Sequence, residues 1–84
     1  MLAIESATPY LSDQILITGR VERGMIRVGD HVDVVGYYET QKTLVNGIEI
    51  YPNSEEEAKV GDNVGIIVKG SGLEVIRGQL ICKP

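Results

Sequence analysis

The sequence predicts an all-β fold, a single small β-barrel, on three observations. Apolar and polar residues alternate with period two through most of the chain, the pattern of strands with one buried face. Glycine-bearing turns separate these runs about every eight to twelve residues, as they do in a closed barrel or a sandwich. The chain has 84 residues, enough for one small core, and closing the sheet removes the open edges that so small a domain would otherwise present.

Taken in order, the turn signal "SDQ" at 12–14 precedes the run "ILITGRVER", in which Ile15, Ile17, Gly19 and Val21 share one face. Leu16, Thr18, Arg20 and Glu22 share the other. The turn signals "ERGM" (22–25) and "VGD" (28–30) follow, then "HVDVV", with Val32 and Val34 opposed to Asp33. "NGIEIY" sets Ile48 and Ile50 against Glu49 and Tyr51. After a second "VGD" (60–62), "NVGIIVK" sets Val64, Ile66 and Val68 against Asn63, Gly65, Ile67 and Lys69, and "GSG" (70–72) closes the run. Only "SEEEA" (54–58) and "GLEVI" (72–76) suit a helical turn, and both are too short for an independent helix. No internal repeat, linker or low-complexity segment is expected.

Composition narrows the function classes. No apolar run approaches the roughly 18 residues of a membrane-spanning helix, and "MLAIESATPY" lacks the basic start and apolar stretch of a signal peptide. The single cysteine, Cys82, follows Leu80 and Ile81 and reads as a small buried hydrophobe. These features predict a cytoplasmic domain without a membrane partner. The formal net charge is -4, with the densest acidic run at Glu55, Glu56 and Glu57, read as a solvated turn or short helical segment. Nucleic-acid binders gain affinity by neutralising phosphates, so this chain alone is expected to bind RNA weakly and DNA not at all.

The stretch "TGRVERGMIRVGD" places Gly19, Gly24 and Gly29 five residues apart. Gly19 and Gly24 match the first half of a P-loop, but Met25 and Ile26 stand where its lysine and hydroxyl residue would reach phosphate and magnesium. "GSGLEV" begins a dinucleotide fingerprint and has Val75 at the third glycine position. A β-hairpin is the better reading, with Gly24 and Gly29 supplying turn backbone. The only histidine, His31, has no second histidine or cysteine at ligand spacing, so it reads as a surface residue. Serines 6, 12, 54 and 71 have no nucleophile signature, and the carboxylates are scattered. No enzyme activity, metal or cofactor is expected.

"TGRVERGMIRVGDHVDVVG", followed in order by "ETQKT", "VNGIEI", "GDNVGIIVKG" and "IRGQLICKP", resembles the second domain of elongation factor Tu, a translational GTPase. The resemblance spans nearly the whole chain and implies one domain over residues 1–84, a closed six-stranded Greek-key barrel of the translation-protein type. The five-spaced glycines become turn and strand positions of that barrel. The family's GTP-binding domain is not represented in this sequence. An excised domain and a natural stand-alone barrel are both consistent with that.

The resemblance further implies that the barrel helps to hold the aminoacylated acceptor end of tRNA and packs against a GTPase domain. The matching positions for the adenine and aminoacyl group are Glu5, Leu16, Thr18, Glu49, Tyr51, Asn63 and Ile67, and Arg77 matches a position near the tRNA 5′ phosphate. Alternation independently puts Leu16, Thr18, Glu49, Tyr51, Asn63 and Ile67 in the outward set. Leu16 and Ile67 are expected to sandwich a base, and Glu49 to accept a hydrogen bond from an adenine amine or a ribose hydroxyl. Backbone near Tyr51 and Asn63 would hold the amino acid, and the Arg77 guanidinium suits a phosphate. The sequence departs from the family pattern at Thr8, usually aromatic, at Ser12, Asp13 and Gln14, usually Gly-Arg-Gly, and at Pro52 and Asn53, usually basic. The segment from Gly70 to Arg77 is also slightly short. Loss of basic residues lowers the expected tRNA affinity, and the competing reading is a stand-alone Tu-like module that docks protein through the same face.

Overall fold

The computed structural model describes residues 1–36, 38–70 and 78–83. Among these residues nine strands make up the regular structure: β1 (Leu2–Pro9), β2 (Gln14–Val21), β3 (Met25–Arg27), β4 (His31–Val35), β5 (Thr40–Ile50), β6 (Asn53–Glu55), β7 (Glu57–Lys59), β8 (Asn63–Lys69) and β9 (Leu80–Cys82). Hydrogen bonding runs β4-β9-β1-β2-β8-β5, and a further β4–β5 pairing closes the ring into a six-stranded barrel. All its pairings are antiparallel. Strands β4, β5 and β8 are consecutive neighbours, and β9 returns to lie beside β4, which makes the barrel a Greek key.

The inward alternation set fills the barrel. Ile17, Val21, Val32, Val34, Ile48, Val64, Ile66 and Val68 are all buried, joined by Leu2, Ile4, Val45 and Ile81. None of the described polar or charged residues is buried, so the interior needs no internal hydrogen-bond partners. Two bulges break the registers. One lies in β1 between Ile4 and Ser6, leaving Glu5 unpaired opposite β2, and the other in β5 between Val45 and Gly47. Each bulge bends its strand and helps so short a sheet to close. A side chain at Gly19, opposite the first bulge, would collide with the Ala3 carbonyl.

The hairpin expected around Gly24 does not form. Strand β2 is already paired on both edges, to β1 and β8, so β3 has no edge of β2 to join. Gly24 turns the chain away with φ +67°, and β3 pairs with β7 in a separate two-stranded ribbon. That ribbon, together with β6 pairing to β5, also replaces the helical turn expected at 54–58. Ala58 is buried opposite Ile26, while Glu57 pairs with Arg27 at 3.4 Å and Lys59 at 3.7 Å. One buried alanine among five residues gives a helix no apolar face, whereas period-two alternation needs only that one. Cys82 is half-buried rather than buried, because Ile81 takes the inward position at the end of β9. His31 is exposed as expected. The turn expected at 70–72 beyond Gly70 and the helical turn at 72–76 lie outside the described residues.

A repeat does exist, contrary to expectation. Arg27–Asp30 and Lys59–Asp62 build the same turn twice. In each, the Asp N–H donates to the carbonyl three residues back (3.1 and 3.0 Å), and the Asp carboxylate accepts that residue's N–H (2.8 and 2.9 Å). The glycines take φ +95° and +92°, a region open to glycine and costly for most residues. Each turn then clasps one buried valine. Gly29 N–H donates to Val45 O at 2.8 Å and Val45 N–H to Asp30 O at 2.9 Å. Gly61 N–H donates to Val21 O at 2.9 Å and Val21 N–H to Asp62 O at 3.0 Å. Since β3 and β7 pair with each other, a pseudo-two-fold relation matches β4 to the first five residues of β8. The shared signature is only basic-Val-Gly-Asp, and backbone bonds carry the rest of the likeness, so side-chain sequence hides it.

Candidate functional site

Three neighbouring strands, β2, β8 and β5, present one continuous outer face, with β1 at its border. The register sets its side chains in cross-strand rows. Ser6, Thr18, Gly65 and Glu49 form one row, and Thr8, Leu16, Ile67 and Gly47 the next. Arg20 stands opposite Asn63 in a third. Gly65 therefore leaves a gap between Thr18 and Glu49. Around that gap lies an open hollow of ≈ 340 Å³, lined by Glu5, Leu16, Thr18, Glu49, Tyr51 and Asn63, with Gly19, Val64 and Gly65 contributing from below.

Each wall has a local cause. The β1 bulge releases Glu5 from pairing and leaves it exposed at the rim. Thr18 and Ser6 share a hydrogen bond between their hydroxyls, which fixes one side. Tyr51 follows the last residue of β5, in the tight turn to β6 where Ile50 pairs with Asn53, and it is 96% exposed. Val64 points into the core and is 4% exposed, so it offers the hollow its backbone. Among the described residues the lining holds two carboxylates, Glu5 and Glu49, and no basic side chain. Such a hollow accepts hydrogen-bond donors and repels anions.

Six of the seven positions read from the sequence as adenine and aminoacyl contacts thus converge on one hollow. Ile67, the seventh, does not line it. It stands beside Leu16 in the same row and leans over Gly47, where a Cβ would meet its Cδ1 at 3.4 Å. Leu16 and Ile67 therefore stand side by side on neighbouring strands. Arg77 lies outside the described residues. Sequence reasoning missed Gly19, Val64 and Gly65, although a glycine in the outward set of β8 signals a gap in that face.

Elsewhere, Asp30 accepts a hydrogen bond from Lys83 at 2.9 Å, which chiefly holds its carboxyl below the usual value of 3.8. Among the described residues no group of three or more His, Cys, Asp or Glu side chains could hold a metal. Nor do they form a helix long and apolar enough to cross a membrane.

A family model described as elongation factor Tu domain 2 matches residues 15–82. The fold is similar to translation elongation factor SelB from Methanococcus maripaludis, both in its apo form and in complex with the GTP analogue GppNHp. Each comparison gives a TM-score of 0.86 and 28% sequence identity, and covers 98% of this chain. The match takes up 18% of the SelB chain, so this domain spans under a fifth of that protein.

Proposed function

Because the chain belongs to the elongation factor Tu domain 2 family, we propose that its outer hollow holds the aminoacylated 3′ end of tRNA, beside a GTPase domain against which the barrel packs. The observation that carries this reading is the convergence of Glu5, Leu16, Thr18, Glu49, Tyr51 and Asn63, drawn from separate parts of the sequence, on one hollow. Leu16 supplies apolar surface to the terminal base. The Glu49 carboxylate accepts from its amine or from a ribose hydroxyl, and backbone near Tyr51 and Asn63 holds the aminoacyl group. Arg77 is assigned to the 5′ phosphate by resemblance alone.

In this reading the chain is a binding element of a cytoplasmic translation factor. It performs no chemistry of its own, and nucleotide hydrolysis belongs to the GTPase domain. With no basic side chain among the described lining residues, the contact is weak in isolation, on the order of 10⁻⁴ M. Titration of the isotopically labelled chain with an aminoacylated CCA fragment, followed by NMR, tests the proposal. Leu16, Glu49 and Asn63 should shift together, and Glu49→Ala should abolish the response without unfolding the barrel. Silence at all three, with shifts elsewhere or nowhere, rejects it in favour of a protein-docking module.

A further inference from the structure

The sequence holds three asparagines, Asn46, Asn53 and Asn63, and all are exposed. They differ in what holds their backbone. Asn53 pairs with Ile50 in the turn from β5 to β6, and Asn63 pairs with Arg20 in the β2–β8 ladder. Asn46 has no partner on either side of β5 among the described pairings. On one side it is the surplus residue of the bulge, because Val45 faces Val68 and Gly47 faces Ile67. On the other side the β4 pairing ends at Leu44, the Gly29–Asp30 turn clasps Val45, and β6 begins to pair at Ile48. The following residue differs as well: glycine after Asn46, Ser54 after Asn53 and the branched Val64 after Asn63.

We infer that the Asn46–Gly47 bond in the β5 bulge is a modification site, at which the chain deamidates itself with water as the only co-reactant. The Gly47 backbone nitrogen attacks Cγ of the Asn46 carboxamide. A new C–N bond closes a succinimide ring, and the side-chain nitrogen leaves as ammonia, carrying the proton lost from the Gly47 N–H. Water then opens the ring. Addition at Cγ gives aspartate, and addition at the main-chain carbonyl gives isoaspartate, in which the chain runs through the former side chain. Two features of the fold favour the step. Gly47 carries no side chain to block its own nitrogen, whereas Val64 crowds the nitrogen next to Asn63. The ladder keeps a paired asparagine extended, but the bulge lets Asn46 rotate toward attack geometry without giving up a strand partner. Isoaspartate lengthens the main chain by one carbon where β5 already carries a surplus residue, so the barrel tolerates it. Either product adds a negative charge to the strand that carries Glu49. The inference does not depend on what the hollow binds.

The test incubates the 84-residue chain in mildly alkaline buffer and follows its peptides by mass spectrometry, with isoaspartate read by enzymatic methylation. Asn46 should convert at least about tenfold faster than Asn53 or Asn63, with ammonia released and isoaspartate formed at position 46. Gly47→Ala should slow the conversion by about tenfold. Its Cβ would meet Ile67 Cδ1 at 3.4 Å, an ordinary contact, so the melting temperature should hold. Asn46→Gln keeps the glycine and should end conversion at this position, because a glutamine must close a larger and slower ring. The same chain unfolded in guanidinium chloride gives the rate without the fold. Conversion of Asn46 in the unfolded chain but not in the folded one shows that β5 holds the site shut, and overturns the inference. Earlier conversion of Asn53 or Asn63 in the folded chain overturns it too, as does a Gly47→Ala chain that converts as fast as the unaltered one.

Discussion

The two matched turns allow one ion pair to be weighed against a built-in reference. Asp30 and Asp62 make the same backbone contacts, but only Asp30 also receives Lys83, at 2.9 Å. Asp62→Ala removes a carboxylate that caps the Lys59 N–H, a loss of about 1 kcal/mol by analogy with helix caps and single hydrogen bonds. Asp30→Ala removes the equivalent cap and, in addition, an ion pair whose side chains are 26% and 43% exposed. Solvent screens such a pair, so the extra cost is about 0.5 kcal/mol and no more than about 1. For a domain this small, each 1 kcal/mol moves the melting temperature by about 4–8 °C. Asp30→Ala should therefore melt about 2–8 °C below Asp62→Ala.

The pH dependence has a definite sign. The Asp30 carboxyl is held below its ordinary value of 3.8 by the Lys83 hydrogen bond. A depressed carboxylate contributes stability that is fully present above the unfolded value and lost as pH falls through the folded one. The gap between the two variants should be flat from neutral pH down to about pH 5 and then close in more acidic solution. It should also vanish in a Lys83→Ala background. Melting curves by circular dichroism at a series of pH values decide the matter. Equal costs for the two substitutions at pH 7, or a gap that survives Lys83→Ala, would refute the reasoning.

Ile66 is fully buried in β8, with Ile17 and Ile48 directly across on the flanking strands. Ile66→Ala should cost about 2–5 kcal/mol in urea unfolding, and a cost under about 1 kcal/mol would argue against this central stack. The chain should bind no GTP by calorimetry, since Met25 and Ile26 occupy the P-loop's lysine and hydroxyl positions and β3 leads away into a ribbon; stoichiometric binding would contradict that assignment.

Alternation identified the larger part of the core but not Leu2, Ile4, Ile26, Val45, Ala58 or Ile81. Ile17, Val21, Val32, Val34, Ile48, Val64, Ile66 and Val68 belong to the inward set by sequence and are buried in the structure. Side-chain direction in a strand depends only on parity, so that information is local. Turn position was local too, because Gly24, Gly29 and Gly61 mark places where φ becomes positive. The outward residues Leu16, Thr18, Glu49 and Asn63 could be named as a set for the same reason.

Partnership was decided by tertiary structure. Which edge Met25–Arg27 would find depended on β2 being occupied on both sides, and its partner β7 lay in a segment whose charges suggested a helical turn. The β1 bulge that frees Glu5, and the register that sets Gly65 between Thr18 and Glu49, arise from hydrogen bonds between strands distant in sequence. Ile67 shows the limit most clearly: parity places it outward beside Leu16, and only the β5–β8 register sets it against Gly47 rather than in the lining of the hollow. Direction is a property of the single strand, and a site requires the register of several.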